Sequence, residues 1–312
     1  MGIRDCTVIC VIVTRDRPEL LERAVSAVAA QSRRPDHLVL VDNGSDPRAE
    51  AVAAGSGIPF TYLPSATNLG GAGGFAYGVL QARALGADWT WLADDDGRPA
   101  DRWTLARLLV CAQDHGLSAV SPLVVDEQDP QQLAFPLRRG LVWVRRRSEL
   151  GPGETLTGVA NLFNGALLSD VAMEAVGVPD PRLFVRGDEV EMHRRLRRSG
   201  LPFGTCTESA YLHPQGRDDW APVLAGRLWV LVPRDPQRQD LTYRNLGYLT
   251  AQPGLRWRRW PDAFRYAWYY LVQQRDPGGF RRWAQLTRAG RRERFGLSSG
   301  PPAPRAQLPR AS

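Results

Sequence analysis

The sequence predicts an α/β fold, a mostly parallel, Rossmann-like sheet followed by a mainly helical C-terminal region rich in Arg and aromatic residues. Three observations predict it. Strand-like and helix-like patterns alternate through the first half of the chain, with polar or Gly-rich signals at the strand ends. The first strand, Cys6–Val13, is one continuous apolar run, as expected of a strand covered on both faces. After Pro214 the alternation stops, and Arg, Trp, Tyr and Pro accumulate.

The elements follow in order. Asp16-Arg17-Pro18-Glu19 reads as an N-cap, a first-turn Pro and a capping-box acid. The helix behind it carries Leu20, Leu21, Ala24, Val25, Val28 and Ala29 on one stripe. His37–Val41 is a second strand ending at Asp42-Asn43-Gly44-Ser45, and Phe60–Leu63 is a short third strand. Asn68-Leu69-Gly70-Gly71-Ala72-Gly73-Gly74 opens the next helix, and Trp89–Leu92 is the fourth strand. Further on, Leu133–Val144 reads as a hairpin or loop, Phe163–Leu168 as a strand and Asp170–Val176 as a short helix. Glu189–Ser199 is a helix closed by Gly200, and Phe203–Leu212 a strand leading to His213. Residues 1–215 are therefore expected to form a catalytic domain and 216–296 a helical region. The low-complexity tail, 297–312, is expected to be disordered.

With 312 residues, 43% of them hydrophobic, the chain can bury a sizeable core. All 40 basic residues are Arg. From Ala251 to Ser312 there are 13 Arg against Asp262, Asp276 and Glu293, while the other 250 residues hold 27 Arg against 30 acids. The positive charge thus collects at the C-terminal end and points to an anionic partner. Cys6, Cys10, Cys111 and Cys206 make no CxxC or zinc-type spacing, which fits a reducing cytoplasmic compartment. No apolar run is long enough to span a bilayer, and Thr7–Val13 is too short and too β-branched for a signal-peptide core.

Asp94-Asp95-Asp96, directly after an apolar strand, carries the most chemistry. Adjacent carboxylates repel one another, and a hard divalent cation such as Mn²⁺ or Mg²⁺ removes that cost while bridging to a diphosphate. A solvated turn, with Pro99 starting a helix, is the plainer account. Asp42 can accept from a uracil imide or a ribose hydroxyl, and it also suits an ordinary turn. The glycines after Asn68 allow close approach of backbone N–H groups to a phosphate or sugar. Thr14, Arg15 and Arg17 leave the first strand at the same sheet edge, where Arg could meet a diphosphate. Asp188 and Glu189 open a helix, where acids suit the macrodipole and one of them can also serve as a general base. His213, between a strand and Pro214, can complete a metal site of carboxylates and phosphates.

In their order along the chain, these residues resemble the inverting family 2 glycosyltransferases of GT-A fold. The matching pieces are Thr14, Asp42-Asn43-Gly44-Ser45, Asn68-Leu69-Gly70-Gly71, Asp94-Asp95-Asp96, Asn164-Gly165-Ala166, Gly187-Asp188-Glu189 and His213. The usual Glu-Asp order is inverted to Asp188-Glu189, which puts the family's base position on Glu189 and leaves Asp188 as the alternative. The stretches Ala134–Trp143, Phe184–Arg195 and Thr242–Asn245 are similar to those of actinobacterial galactofuranosyltransferases that initiate cell-wall galactan. That resemblance implies UDP-galactofuranose as donor and a polyprenyl-diphosphate-linked rhamnosyl-N-acetylglucosamine as acceptor. It implies metal ligation by Asp94, Asp96 and His213, and donor binding by Thr14, Arg15, Arg17, Asp42, Asn43, Asn68, Gly70, Gly71, Asp94, Asp95 and Asn164. A family 2 rhamnosyltransferase is the alternative, and a basic nucleic-acid-binding protein a distant one, since it leaves the Asp cluster unexplained. The C-terminal aromatics Trp257, Trp260, Tyr266, Trp268, Tyr269 and Tyr270, interleaved with Arg, fit either a headgroup boundary on an anionic membrane or a packed helical core. With the lipid-linked acceptor, they suggest a cytoplasmic enzyme peripheral to the inner face of the cell membrane.

Overall fold

In the computed structural model, which describes residues 6–140, 142–151, 153–215 and 219–296, every residue of the first strand, β1 (Val8–Thr14), is buried. The expected disordered tail, 297–312, lies outside the described residues. The chain divides into two compact units, Met1–Asp218 and Asp219–Ser312.

In the first unit, β1 is followed by α1 (Pro18–Ala29), β2 (His37–Asp42), α2 (Arg48–Ala54), β3 (Phe60–Pro64), α3 (Gly70–Ala84) and β4 (Trp89–Asp94). Strands β2 and β4 pair with β1 on either side and β3 with β2, all parallel. The register sets Thr14 beside Asp42 and Val13 beside Asp94. Three strands therefore finish at one edge, where open α/β sheets gather ligands.

The chain continues through β5 (Arg98–Pro99), α4 (Thr104–Asp114), β6 (Ala119–Asp126), β7 (Gln132–Arg139), β8 (Val142–Arg146), β9 (Thr155–Thr157), β10 (Ala166–Ser169), α5 (Asp170–Val176), α6 (Asp188–Ser199) and β11 (Phe203–His213). The described sheet runs β3-β2-β1-β4-β10-β6-β11-β5, with β7 and β8 extending from β6 and β9 on β11. β10 is antiparallel to β4 and β6, while β11 is parallel to β6 and antiparallel to β5. The β5 pairing, Leu212 with Arg98, carries the segment after the Asp cluster back alongside the end of β11.

Three local expectations change. Pro99 lies in β5, and the following helix starts at Thr104. Asp16 does not cap α1, whose N-cap is Arg17 without a side-chain bond; its carboxylate accepts from the Ser45 N–H at 2.8 Å and ties two strand-end loops together. The strand expected from Phe163 begins at Ala166, because Gly165 has φ +80° and a Cβ there would overlap the Tyr211 ring.

The second unit opens with an antiparallel hairpin, β12 (Trp220–Val223) and β13 (Leu228–Leu231), which the sequence did not signal. Among the described residues, three helices follow, α7 (Pro236–Leu249), α8 (Arg259–Ala267) and α9 (Pro277–Arg291). A 3₁₀ turn, Arg256–Arg258, leads into α8, and a π-helical segment, Trp268–Gln273, leaves it. Val223, Val230, Tyr243, Tyr266, Tyr270, Trp283 and Leu286 form its core. The Tyr243 and Tyr270 hydroxyls meet at 2.6 Å, and the Tyr266 and Trp283 rings stack at 5.1 Å. Arg244 is buried there, donating through Nε to Asn245 Oδ1 at 3.0 Å and through Nη1 to the Phe295 carbonyl at 3.1 Å. The Thr242–Asn245 stretch is thus part of this unit's own packing. Among the described residues, no helix is long and apolar enough to cross a membrane.

Candidate active site

The ends of β1, β4 and β11 converge on the Asp cluster, and the end of β2 lies beside that of β1. Carboxylate oxygens of Asp94, Asp95 and Asp96 all lie within 4.8 Å of one another. Asp95 is buried and held from below: it accepts from the Thr14 hydroxyl at 2.8 Å, the Arg15 N–H at 3.4 Å and Arg17 Nη1 at 3.3 Å. Arg17 also reaches Asp96 Oδ2 at 3.4 Å. The Thr14 hydroxyl therefore spends its proton on Asp95, and the Arg15 guanidinium is exposed and lies 3.7 Å from Asp16. Of the first-strand residues singled out from sequence, Arg17 is the one whose charge meets the cluster.

The three acids are held in different states. Burial, then the Asp96 and Asp95 charges, push Asp94 up to about 8. Burial also raises Asp95, against Thr14 and Arg17. Burial raises Asp96 too, but the His213 imidazole and Arg17 outweigh it and hold that carboxyl below its usual range. His213 Nε2 lies 3.1 Å from Asp96 Oδ1, off the line of a good hydrogen bond, so this buried oxygen keeps an unfilled lone pair. His213 Nδ1 lies 2.6 Å from the Pro214 carbonyl. With a proton on Nδ1 donated to that carbonyl, Nε2 turns its lone pair toward Asp96, an arrangement satisfied by a second proton or by a cation between them. The donor set, hard carboxylate oxygens and one imidazole around an unfilled lone pair, fits Mn²⁺ or Mg²⁺. The Phe135 ring packs on His213 at 5.0 Å, a neighbour in the Ala134–Trp143 stretch whose role only the fold reveals.

At the end of β2, Asp42 is buried and both oxygens are engaged, Oδ1 by the Gly44 N–H and Oδ2 by the Tyr62 hydroxyl, each at 2.8 Å. Tyr62 escaped the sequence reading because its strand pattern looked purely structural. The Asn43 amide is consumed within the fold: Nδ2 donates to the Gly70 carbonyl at 3.0 Å, and Oδ1 accepts from Leu69 N–H at 3.3 Å. Asn68 Oδ1 accepts from Gly70 N–H at 2.9 Å. Gly70 has φ +68°, and a Cβ there would overlap the Phe184 carbonyl, which accepts from Ala72 N–H at 3.1 Å. Gly74 is used otherwise: a Cβ there would come within 2.6 Å of Val13 Cγ1, so its absence lets α3 lie on β1. Only the start of the Gly-rich run is thus at the sheet edge.

The loop before α6 is strained. Phe184 (φ 63°, ψ −64°) is the centre of a γ-turn of the rare form, closed by Val185 N–H to the Leu183 carbonyl at 2.7 Å, and Arg186 also has positive φ. Gly187 in the left-handed region then caps α6 and presents Asp188 and Glu189. A Cβ on Gly71 would lie 3.9 Å from Asp188 Oδ2, which brings the first turn of α3 to Asp188. Glu189 Oε1 accepts from Leu162 N–H at 2.7 Å. Burial raises Asp188 to about 6; burial, against the Leu162 bond and with the Asp188 charge, raises Glu189 to about 7. Asn164 is buried just before β10, where Gly165 N–H bonds the Leu92 carbonyl of β4 at 2.8 Å. Nearby Asn161 Nδ2 is buried without a partner, a group that sequence gave no reason to single out.

Residues 9–165 match the model for glycosyl transferase family 2. Over 295 residues the chain is 57% identical to galactofuranosyltransferase GlfT1 of Mycolicibacterium smegmatis, covering 92% of this chain and 98% of that protein. The chain belongs to glycosyl transferase family 2. A second galactofuranosyltransferase GlfT1, from Mycobacterium tuberculosis, is 54% identical to this family 2 chain over 300 residues, 94% of this chain and 98% of that one. Among solved structures, Staphylococcus aureus TarS 1-349 in complex with UDP-GlcNAc superposes with a TM-score of 0.55 at 10% identity, covering 94% of this chain and 89% of that chain. Mannosyltransferase PcManGT from Pyrobaculum calidifontis, in complex with GDP-Man and Mn2+, gives a TM-score of 0.51 at 15% identity over 96% of this chain and 77% of that one. The fold is the GT-A fold of these enzymes. The family match ends before Asp188, Glu189 and His213, so their presence at this edge is known from the geometry alone.

Proposed function

We propose that this family 2 enzyme transfers galactofuranose from UDP-galactofuranose, with inversion, to a polyprenyl-diphosphate-linked rhamnosyl-N-acetylglucosamine and so initiates cell-wall galactan. The donor sugar is carried by one observation, identity of 57% to a galactofuranosyltransferase along nearly the whole of both chains. Asp94, Asp96 and His213 would hold a divalent cation, Mn²⁺ or Mg²⁺, which would supply positive charge toward the departing UDP diphosphate. Asp95, fixed by Thr14 and Arg17, supports the two ligating acids, and Arg17 adds charge toward the diphosphate. Asp42, oriented by Tyr62, takes the uracil imide or a ribose hydroxyl. Asn43 and Asn68 shape the turn that brings Gly70 and Gly71 to the donor, and buried Asn164 before β10 is assigned to donor binding with them.

Glu189 is the general base. Its Oε1 is held by Leu162 N–H, which leaves Oε2 to take the proton from the acceptor hydroxyl as that oxygen attacks the anomeric carbon. A value near 7 suits a base working at neutral pH. Asp188 remains the alternative base. Since the acceptor is borne on a lipid, the reaction belongs at the cytoplasmic face of the cell membrane.

A donor panel tests this reading. UDP-galactofuranose, UDP-galactopyranose and dTDP-rhamnose are offered with the lipid-linked acceptor, and products are read by mass spectrometry. Transfer from UDP-galactofuranose alone is expected. Transfer from dTDP-rhamnose instead would make the chain a rhamnosyltransferase on the same machinery.

A further inference from the structure

The second unit carries an apolar stripe that its own packing does not use. Along the helical run from Arg256 to Gln273, Tyr266 and Tyr270 face the core together with Asp262. On the other side Trp257 (65% exposed), Trp260 (74%) and Phe264 (52%) point outward, followed by Leu271 and Val272. The Phe264 ring lies 6.2 Å from that of Trp268. Positions 257, 260 and 264 are three or four residues apart, so they form one helical face, while Trp268 is half-buried and packs on the unit's core. The sequence left these aromatics open between core and boundary; the helix divides them, with Tyr266 and Tyr270 inside and Trp257 and Trp260 outside.

The charges around the stripe are positive. Arg256 and Arg259 are exposed beside it, and the Arg259 guanidinium lies 5.5 Å from the Trp260 ring centroid. Arg265 pairs with Asp262, which is buried beneath the helix, and donates to the Trp229 carbonyl at 3.3 Å. That bond joins α8 to the hairpin, whose Trp220 and Trp229 are also exposed. Indole rings flanked by Arg suit the boundary between lipid headgroups and acyl chains, and Arg beside them suits anionic headgroups.

We infer that the outward face of the Arg256–Gln273 helix, with Trp257, Trp260 and Phe264 as its anchors, docks the second unit on an anionic phospholipid surface. This deepens the membrane reading above without depending on the donor sugar. Donor turnover measured on the same samples keeps the two apart.

The test is partition of the full chain onto vesicles of phosphatidylglycerol with phosphatidylcholine, beside pure phosphatidylcholine. It is read by sedimentation and by quenching of indole emission with brominated acyl chains. The wild type is expected to bind the anionic vesicles, with quenching, and to lose binding as salt rises. A Trp257→Ser, Trp260→Ser, Phe264→Ser triple variant with unchanged far-UV dichroism and melting temperature should partition at least about tenfold less. An Arg256→Gln, Arg259→Gln variant should lose the preference for anionic lipid. Donor hydrolysis should be unchanged in both. Wild-type-like vesicle binding by the triple variant overturns the inference, as does failure of the wild type to bind at low salt. Conversion of a wild-type dimer to monomer by the triple variant, with vesicle binding intact, would assign the face to a second copy instead.

Discussion

At the scale of residues, the site separates neighbouring acids by environment. Glu189 sits at the start of α6, half-buried and with one oxygen on the Leu162 N–H, and its carboxyl is raised to about 7. Glu189→Gln is expected to cut transfer by about 10³-fold, as loss of a general base does, while UDP affinity stays near wild type. Near-normal turnover would move the base to Asp188. For the wild type, kcat/KM should rise with pH through about 7, where the base ionises. The same shift has the opposite sign for stability. The folded protein keeps a proton on Glu189 that the unfolded chain has released above about 4.5, so folding stability falls as pH rises between those values. Glu189→Gln should therefore unfold at a higher temperature than wild type at pH 8 and at the same temperature at pH 4. The acids themselves were legible from their setting, a strand end and a helix start. Their division of labour was not, because it depends on Thr14, Arg17, His213 and Leu162, which come from distant parts of the chain.

Among elements, α3 shows how glycines with one appearance serve two ends. Gly70 has positive φ and makes room for the Phe184 carbonyl, so it fixes the loop that leads to Asp188 and Glu189. Gly74 and Gly78 instead let the helix lie against Val13 and Val11 of β1. Gly78→Ala should destabilise the protein by about 1–3 kcal/mol, the usual cost of overpacking, read as a lowered denaturation midpoint with unchanged slope. An unchanged midpoint would contradict the tight packing of α3 on β1. The strands β1, β2 and β4 were legible because apolar runs ending in polar residues have few other uses. The short β5 and the hairpin β12–β13 were not, since two- to four-residue strands carry almost no periodic signal and exist through their partners. Asp16 misled for a related reason: a residue of capping type finds a better donor, the Ser45 N–H, across the sheet edge.

Over the whole molecule, the first unit gathers the acids and the second the positive charge and exposed aromatics. The charge asymmetry was plain in the sequence, and the split of the aromatics between core and surface needed the helix. The central claim is that a cation held by Asp94, Asp96 and His213 assists transfer from UDP-galactofuranose. The most direct test is galactofuranosyl transfer to the lipid-linked rhamnosyl-N-acetylglucosamine acceptor, with Mn²⁺, with Mg²⁺ and with EDTA, for wild type beside Asp96→Ala. Transfer that needs the metal and is lost in Asp96→Ala is the predicted result. Full transfer in EDTA, or an Asp96→Ala variant as active as wild type, would contradict it.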